Sequence, residues 1–225
     1  GWVGLMAQDL DPDLAKFFKV SVNQGALISE VMPMGPAGKA TLQSGDVVIK
    51  FDSKAVDGAG SLKSLVGKTK AGTRVPVEIM REGKTRLMTI AIREQPGVPP
   101  SPSVQQAGQV APKGGAPKSP VLGLAVEDVP SEVARYLNMP NRKGGIVVAV
   151  QPGSPAFDAG LAPGDIILKA NQTEIRDSRE FNRLAKQFQK EEMTVLFVQR
   201  GPGEKIFVPV RMKSSDDRSG DPGQA

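Results

Sequence analysis

The feature that most constrains this chain is that its text appears twice. Gly35-Pro36-Ala37-Gly38-Lys39-Ala40-Thr41-Leu42-Gln43-Ser44-Gly45-Asp46-Val47-Val48-Ile49-Lys50 returns as Ser154-Pro155-Ala156-Phe157-Asp158-Ala159-Gly160-Leu161-Ala162-Pro163-Gly164-Asp165-Ile166-Ile167-Leu168-Lys169. The displacement from Gly45 to Gly164, 119 residues, also carries Gly4-Leu5 onto Gly123-Leu124, Asp9 onto Asp128, Gly25 onto Gly144, Leu65 onto Leu184 and Arg81 onto Arg200 without a gap. A period this long, with a linker inside it, indicates tandem copies of one domain rather than a solenoid of short repeats. The copies span residues 1–95 and 120–213. Between them, residues 96–119 are rich in Pro, Gly, Gln, Ala and Ser and hold no aromatic side chain. Such a segment buries too little apolar surface to offset the entropy of ordering, so it reads as a disordered linker with a random-coil span of roughly 25–30 Å. Residues 214–225 have the same character and read as a disordered tail.

Each copy reads as short strands mixed with small helices. Val3-Gly4-Leu5-Met6-Ala7 is a short β run, and Asp11-Pro12-Asp13 supplies an N-cap followed by proline at the first helical position. Ala26 to Val31 and Val47 to Phe51 are strands, separated by a one- or two-turn helix that starts at Pro36 and ends near Leu42. Ser61 to Thr69 carries Leu62, Leu65 and Val66 at helical spacing. Val75 to Met80 and Leu87 to Ile92 form a hairpin around Arg81-Glu82-Gly83-Lys84. The second copy repeats the order, with a helix at 179–189 and a hairpin around Gly201-Pro202-Gly203. The expected fold is α+β: two partly open β-barrels, each flanked by two or three short helices and joined by the flexible linker.

The residues absent from the chain bound its chemistry. With no cysteine and no histidine among 225 residues, it offers no Ser/His/Asp or Cys/His nucleophilic machinery, no thiolate or imidazole zinc site and no disulfide framework. No cofactor or metal is expected, and the chain is not expected to be an enzyme. The 29 Lys and Arg against 24 Asp and Glu are spread over both copies without a like-charged block, and only ten aromatic residues are present. A nucleic-acid surface needs clustered cations and stacking rings, so nucleic acid is not an expected partner. No apolar run reaches the roughly 18 residues of a membrane span. The chain opens on Gly1-Trp2-Val3-Gly4 rather than on an initiator or signal peptide, and reads as a segment of a longer protein.

The order Trp2-Val3-Gly4-Leu5 followed by Pro36-Ala37-x-x-Ala40-x-Leu42-x-x-Gly45-Asp46-Val47-Val48, repeated as Val121-Leu122-Gly123-Leu124 with Ser154-Pro155-Ala156-x-x-Ala159-Gly160-Leu161-x-x-Gly164-Asp165-Ile166-Ile167, resembles the bacterial form of the PDZ domain. The tandem most resembles the two C-terminal PDZ domains of the Do-type (HtrA/Deg) serine endoproteases of the bacterial periplasm. The resemblance covers everything except linker and tail. It implies a trypsin-like protease domain upstream in the parent chain, a first PDZ domain that captures unfolded or C-terminally exposed polypeptide, and a second that assists assembly or regulation, with homo-oligomers formed through the parent. The rival reading is the same module serving as a scaffold or adaptor in a secretion or membrane-organising complex. A third, an enzyme acting through paired carboxylates, finds no such pair among the Asp and Glu positions.

Elementary chemistry supplies a mechanism for such a module. The segments before Gly4 and Gly123 would present successive backbone N–H groups to a carboxylate, where glycine lets the backbone approach the ligand and adopt φ above zero. An extended peptide would then add to the open edge of the following strand. Alternation places Val3, Leu5 and Ala7 on one face, flanking Met6 on the other, and Leu62, Leu65 and Val66 would complete an apolar pocket for the terminal side chain. In the second copy Leu122, Leu124 and Val126, with Ala125 between them, would face Phe181, Leu184 and Ala185. Both pockets are expected to prefer partners with apolar C-termini. The lack of histidine at the helix start removes the usual partner of a Ser or Thr hydroxyl two residues inside the ligand terminus. The bland alternatives are that the same apolar residues are only barrel core, and that Trp2 merely covers that core instead of shielding the carboxylate loop. Gly45-Asp46 and Gly164-Asp165 read as turns whose Asp bonds local backbone. Met6, Met32, Met34, Met80 and Met88 read as gap fillers that would broaden ligand tolerance beside a groove. Arg81 and Arg200 read as solvated. Where Gly160 takes a left-handed conformation, Thr41 would be strained or the helix would end differently.

Overall fold

The computed structural model of the protein describes residues 1–21, 24–94, 122–139, 141–188 and 190–212. The chain divides into two compact units, Gly1–Gln109 and Val110–Ala225. The expected linker 96–119 and tail 214–225 lie outside the described residues.

Unit one runs β1 (Leu5–Asp9), α1 (Pro12–Phe18), β2 (Ala26–Val31), α2 (Pro36–Lys39), β3 (Val47–Phe51), β4 (Lys54–Ala55), α3 (Ala59–Lys68), β5 (Arg74–Arg81) and β6 (Lys84–Ala91). Its antiparallel sheet has the order β1-β2-β3-β5-β6, with β4 paired to β3. Unit two repeats the order as β7 (Leu124–Asp128), α4 (Ser131–Tyr136), β8 (Gly145–Val150), α5 (Pro155–Asp158), β9 (Ile166–Ala170), β10 (Thr173–Glu174), α6 (Ser178–Phe188), β11 (Met193–Gln199) and β12 (Lys205–Arg211). Here the sheet order is β12-β11-β9-β8-β7, with β10 paired to β9. The sheets are not closed into barrels: β1 and β7 are edge strands. A single bridge in unit one, Trp2 N–H to Arg93 O at 2.8 Å and Arg93 N–H to Trp2 O at 3.0 Å, ties together the segments flanking the two edges. The short β4 and β10 carried no apolar pattern and were not foreseen.

Local signals explain the element starts. Asp11 caps α1 by accepting from the Leu14 N–H at 2.8 Å, with Pro12 at the first helical position. Pro36 and Pro155 likewise stand in the first turn of α2 and α5; Ser154 caps α5 by accepting from Phe157 N–H, whereas Gly35 gives α2 no side-chain cap. In unit one the core gathers Val3, Ile28, Val48, Phe51, Leu62, Val77 and Ile90 between the sheet and α3.

One expectation is corrected. Arg81 and Arg200 do not extend freely into solvent; each closes a fork on the aspartate of its Gly-Asp turn. Arg81 Nε and Nη2 donate to Asp46 Oδ1 and Oδ2, both at 2.6 Å, and Nη2 also donates to the Thr41 carbonyl at 2.9 Å. In unit two Arg200 repeats this with Asp165 at 2.9 and 2.8 Å and with the Gly160 carbonyl at 2.9 Å. The aspartates also bond local backbone as expected, Asp46 accepting from Gln43 N–H and Asp165 from Ala162 N–H. Both guanidinium pKa values are raised, first by the hydrogen bond to the paired carboxylate. Pairing and partner are 35 residues apart, so local pattern carried no sign of the bond.

Thr41 sits at φ 61° and Gly160 at φ 77°. The helix therefore ends the same way in both copies, with Leu42 N–H donating to Ala37 O at 3.1 Å and Leu161 N–H to Ala156 O at 3.0 Å, and the threonine bears left-handed strain.

Candidate functional site

The edge strand and one helix build the site in unit one. α3 packs along β1, and two contacts fix the gap at its ends. At the far end Asp9 Oδ1 accepts from the first amide of α3, Ala59 N–H, at 2.7 Å. At the near end the Gly1 nitrogen donates to Gly67 O, in the last turn of α3, at 3.1 Å. Unit two has the first of these clasps too, with Ser178 N–H donating to Asp128 Oδ1 at 2.9 Å. The Asp128 carboxyl lies below the ordinary Asp range, chiefly because of the backbone bond from Ser178, then the Ser178 hydroxyl, with Arg179 and Arg142 adding positive charge.

The loop leading into the edge strand is arranged identically in the two copies. Val3 O accepts from Ala37 N–H at 2.9 Å and Gly4 O from Met32 N–H at 2.9 Å; Leu122 O accepts from Ala156 N–H at 3.1 Å and Gly123 O from Gln151 N–H at 2.8 Å. The carbonyls of the loop are thus consumed by the framework, while the amides of Val3 and Gly4 have no backbone acceptor among the described residues. Gly4 has φ +70° and Gly123 φ +73°. A Cβ on Gly4 would come within 2.9 Å of Trp2 Cη2, and one on Gly123 would overlap the Ser154 side chain. Glycine is required at both positions by conformation and by space. Trp2 accordingly has its ring against Gly4, so it covers the loop.

The sequence-derived residues fall as follows. In unit one Val3, Leu62 and Val66 are buried, and Leu5, Ala7 and Leu65 are half-buried against the same core. Gly4 is buried and Met6 is exposed. Leu5 and Ala7 on β1 and Leu65 on α3 are therefore the sequence-derived apolar positions of unit one that stay half-buried while packing against that core. In unit two Leu122, Leu124, Ala125, Val126, Phe181 and Ala185 are buried, as is Gly123, and only Leu184 is half-buried. The aromatic rings explain part of this difference. Phe181 stands where unit one has Leu62, and Phe188 where it has Thr69, and both lie in one cluster with Leu122, Leu124 and Val126. Sequence reasoning missed Asp9 and Asp128, whose spacing to the helix start, 50 residues, leaves no local signal. The methionine expectation divides: Met88 packs against the core, whereas Met6, Met32 and Met34 are surface side chains.

The site thus consists of an antiparallel sheet with β1 at its edge, a helix alongside it, and an entering loop whose carbonyls bond the framework. The PDZ domain model matches residues 4–92 and 120–206, and the chain belongs to that family. Among curated proteins it is 32% identical over 212 residues to the probable periplasmic serine endoprotease DegP-like of Pseudomonas savastanoi pv. phaseolicola (94% of this chain, 42% of that protein). It is 31% identical over 209 residues to the protein of the same name from Chlamydia trachomatis serovar D (92% and 39%). The chain thus spans about two fifths of the length of these relatives. Among solved structures, "HtrA-type protease AlgW with decapeptide" aligns over 43% of this chain and 30% of its own, at 26% identity and TM-score 0.37. No helix among the described residues is long and apolar enough to cross a membrane.

Proposed function

We propose that this chain is the peptide-binding and regulatory tandem of a periplasmic HtrA/Do-type serine endoprotease, and that it captures C-terminal or unfolded polypeptide segments by strand addition. The observation that carries the reading is the edge at β1: loop carbonyls used by the framework, loop amides left with no backbone acceptor, and an apolar lining from α3 alongside. A ligand carboxylate accepts from the amides of the Val3-Gly4-Leu5 segment without needing a cation. The preceding ligand residues pair with β1, each backbone bond contributing about 0.5–1.5 kcal/mol net. Leu5, Ala7, Leu62, Leu65 and Val66 take the terminal apolar side chain. The chain holds no histidine, so a His-dependent triad belongs to an upstream domain of the parent protein, through which the chain also oligomerises. Similarity over 94% of the chain to proteins named as endoproteases favours this reading over a scaffold without a protease.

Unit two offers the same loop in Leu122-Gly123-Leu124 and the same edge at Ala125 and Val126, but there Leu124 and Val126 are fully buried in the core with Phe181 and Phe188, whereas Leu5 and Ala7 of unit one are half-buried. Unit one is therefore the primary receptor in this reading.

The test is a titration with peptides ending in an apolar residue, followed by backbone-amide NMR and by Trp2 emission, since that ring lies against Gly4. Shifts confined to Val3, Gly4, Leu5 and the β1 edge, lost when the peptide is amidated, are expected. Equal binding by the amidated peptide would sink the carboxylate mechanism.

A further inference from the structure

Helix α6 of unit two carries a row of cations that its packing does not require. Arg179, Arg183 and Lys186 stand at intervals of four and three residues, which puts them within about 60° of one another around the helix. Arg176, just before the helix, and Lys190, just after it, continue the spacing, and all five are exposed. The opposite side of α6 holds Phe181, Ala185 and Phe188, buried in the core of unit two. In unit one the matching positions are Asp57, Gly60, Ser64, Gly67 and Ala71, so a helix in this place docks on its sheet with none of the five cations. Arg176, Arg179 and Arg183 line an open recess of about 340 Å³ together with Asp177 and Glu180. Those two acids already serve the start of the helix: Asp177 Oδ1 accepts from Glu180 N–H at 2.8 Å, and Glu180 Oε2 from Arg176 N–H at 2.9 Å. Glu180 Oε1 also lies 3.5 Å from Arg183, whose side chain stays open to solvent. Between residues 176 and 190 five cations face two acids, which leaves an excess of positive charge along one side of one helix.

We infer that this face of α6 is a docking surface for an acidic polypeptide segment, one whose carboxylates recur every three or four residues along the side of a helix. Such a segment repeats at about 5.4 Å per turn, as the row of cations does, so the two rows meet turn by turn. The guanidinium forks of Arg176, Arg179 and Arg183 match carboxylates two bonds at a time, and Lys186 and Lys190 extend the attraction beyond the recess. A membrane is the poorer occupant. A helix that lies on a bilayer keeps an apolar face free to enter it, whereas the apolar face of α6 is buried in its own core and the exposed side, Arg176, Arg179, Arg183, Lys186, Gln187 and Lys190, holds no apolar side chain. That side also lacks the aromatic rings on which the bases of a single-stranded nucleic acid would stack.

The experiment titrates the full chain with a peptide about four helical turns long, in which glutamates recur at three- and four-residue intervals among alanine and glutamine. Its C-terminus is amidated, so it offers no terminal carboxylate to the Val3-Gly4-Leu5 amides and its binding is separate from strand addition. A second peptide of the same composition has the glutamates shuffled off the common face. The first should shift the amides of α6, bind about fivefold more tightly than the second, and weaken as salt rises through the range where the Debye length falls below about 10 Å. Arg179→Gln with Arg183→Gln and Lys186→Gln should lower its affinity about tenfold. These side chains are exposed, so the variant keeps its fold. Reversing the same three positions to glutamate should transfer the preference to a peptide with lysine in place of each glutamate. Absence of binding, equal binding by the shuffled peptide, or equal binding by the glutamine variant would overturn the proposal. So would capture of the chain by vesicles of anionic phospholipid when the acidic peptide does not bind, which would assign the row to a lipid surface instead.

Discussion

Replacing Arg81 by Met removes both charge-assisted bonds to Asp46 and the bond to the Thr41 carbonyl, and leaves apolar bulk in place. The Asp46 side chain is 2% exposed and that of Arg81 17%, so water cannot take over the lost contacts. Gln43 N–H alone continues to serve the carboxylate. Breaking a buried pair by removing one partner costs about 3–5 kcal/mol, and the surviving backbone donor puts the expectation near the lower end, about 3 kcal/mol. In unit two the Arg200 side chain is 41% exposed, so solvent screens the pair, and Arg200→Met should cost no more than about 1–2 kcal/mol. Urea unfolding distinguishes the two, because the single tryptophan, Trp2, lies in unit one. With a slope of about 1 kcal/mol/M, Arg81→Met should lower the Trp2-detected midpoint by about 2–3 M, and Arg200→Met should leave it unmoved. Neutralising the stranded carboxylate with Asp46→Asn should restore part of the loss. A midpoint shift below about 0.5 M for Arg81→Met would refute the assignment of Asp46 and Arg81 as a buried, mutually dependent pair.

Thr41→Gly relieves a left-handed β-branched residue, a cost of about 1–2 kcal/mol, against about 0.5–1 kcal/mol of added chain entropy. Unit one should gain about 0.5–1 kcal/mol in Trp2-monitored unfolding, whereas Gly160→Thr should cost unit two a similar amount, its site being open to a Cβ but not to the conformation. The clasp at Asp128 gives a pH dependence of defined sign. Its folded pKa is depressed, so the stability it contributes is present above the unfolded value near 3.9 and is lost as pH falls through the folded one. The Ser178 amide shift should therefore titrate with a midpoint below that of an unstructured Asp peptide, and a midpoint at or above it would show that the carboxylate is not held by Ser178.

The repeat, read with no coordinates, carried most of the architecture. Strands Ala26–Val31 and Val47–Phe51 stand where alternation and turn residues placed them, and Gly4 and Gly123 both adopt positive φ. Apolar alternation and glycine and proline punctuation are local properties, and local physics suffices to read them. The matching text at 119 residues of displacement then made one reading serve for both copies. What depended on residues far apart in the chain was decided only by tertiary structure. The Arg81–Asp46 and Arg200–Asp165 forks and the Asp9 and Asp128 clasps join partners with no sequence signature, because a charged residue looks the same whether solvated or buried against its partner. The edge and helix of the two copies share Gly4/Gly123, Leu5/Leu124 and Leu65/Leu184 but differ as text at Met6/Ala125, Leu62/Phe181 and Val66/Ala185, and only the fold shows which way the differing side chains turn. Phe181 and Phe188 are accommodated inward in unit two, while Met6 and Met32 are turned outward in unit one. Apolarity alone specifies that a side chain prefers cover; whether cover comes from its own core or from a bound chain is settled by the volume the neighbouring elements leave.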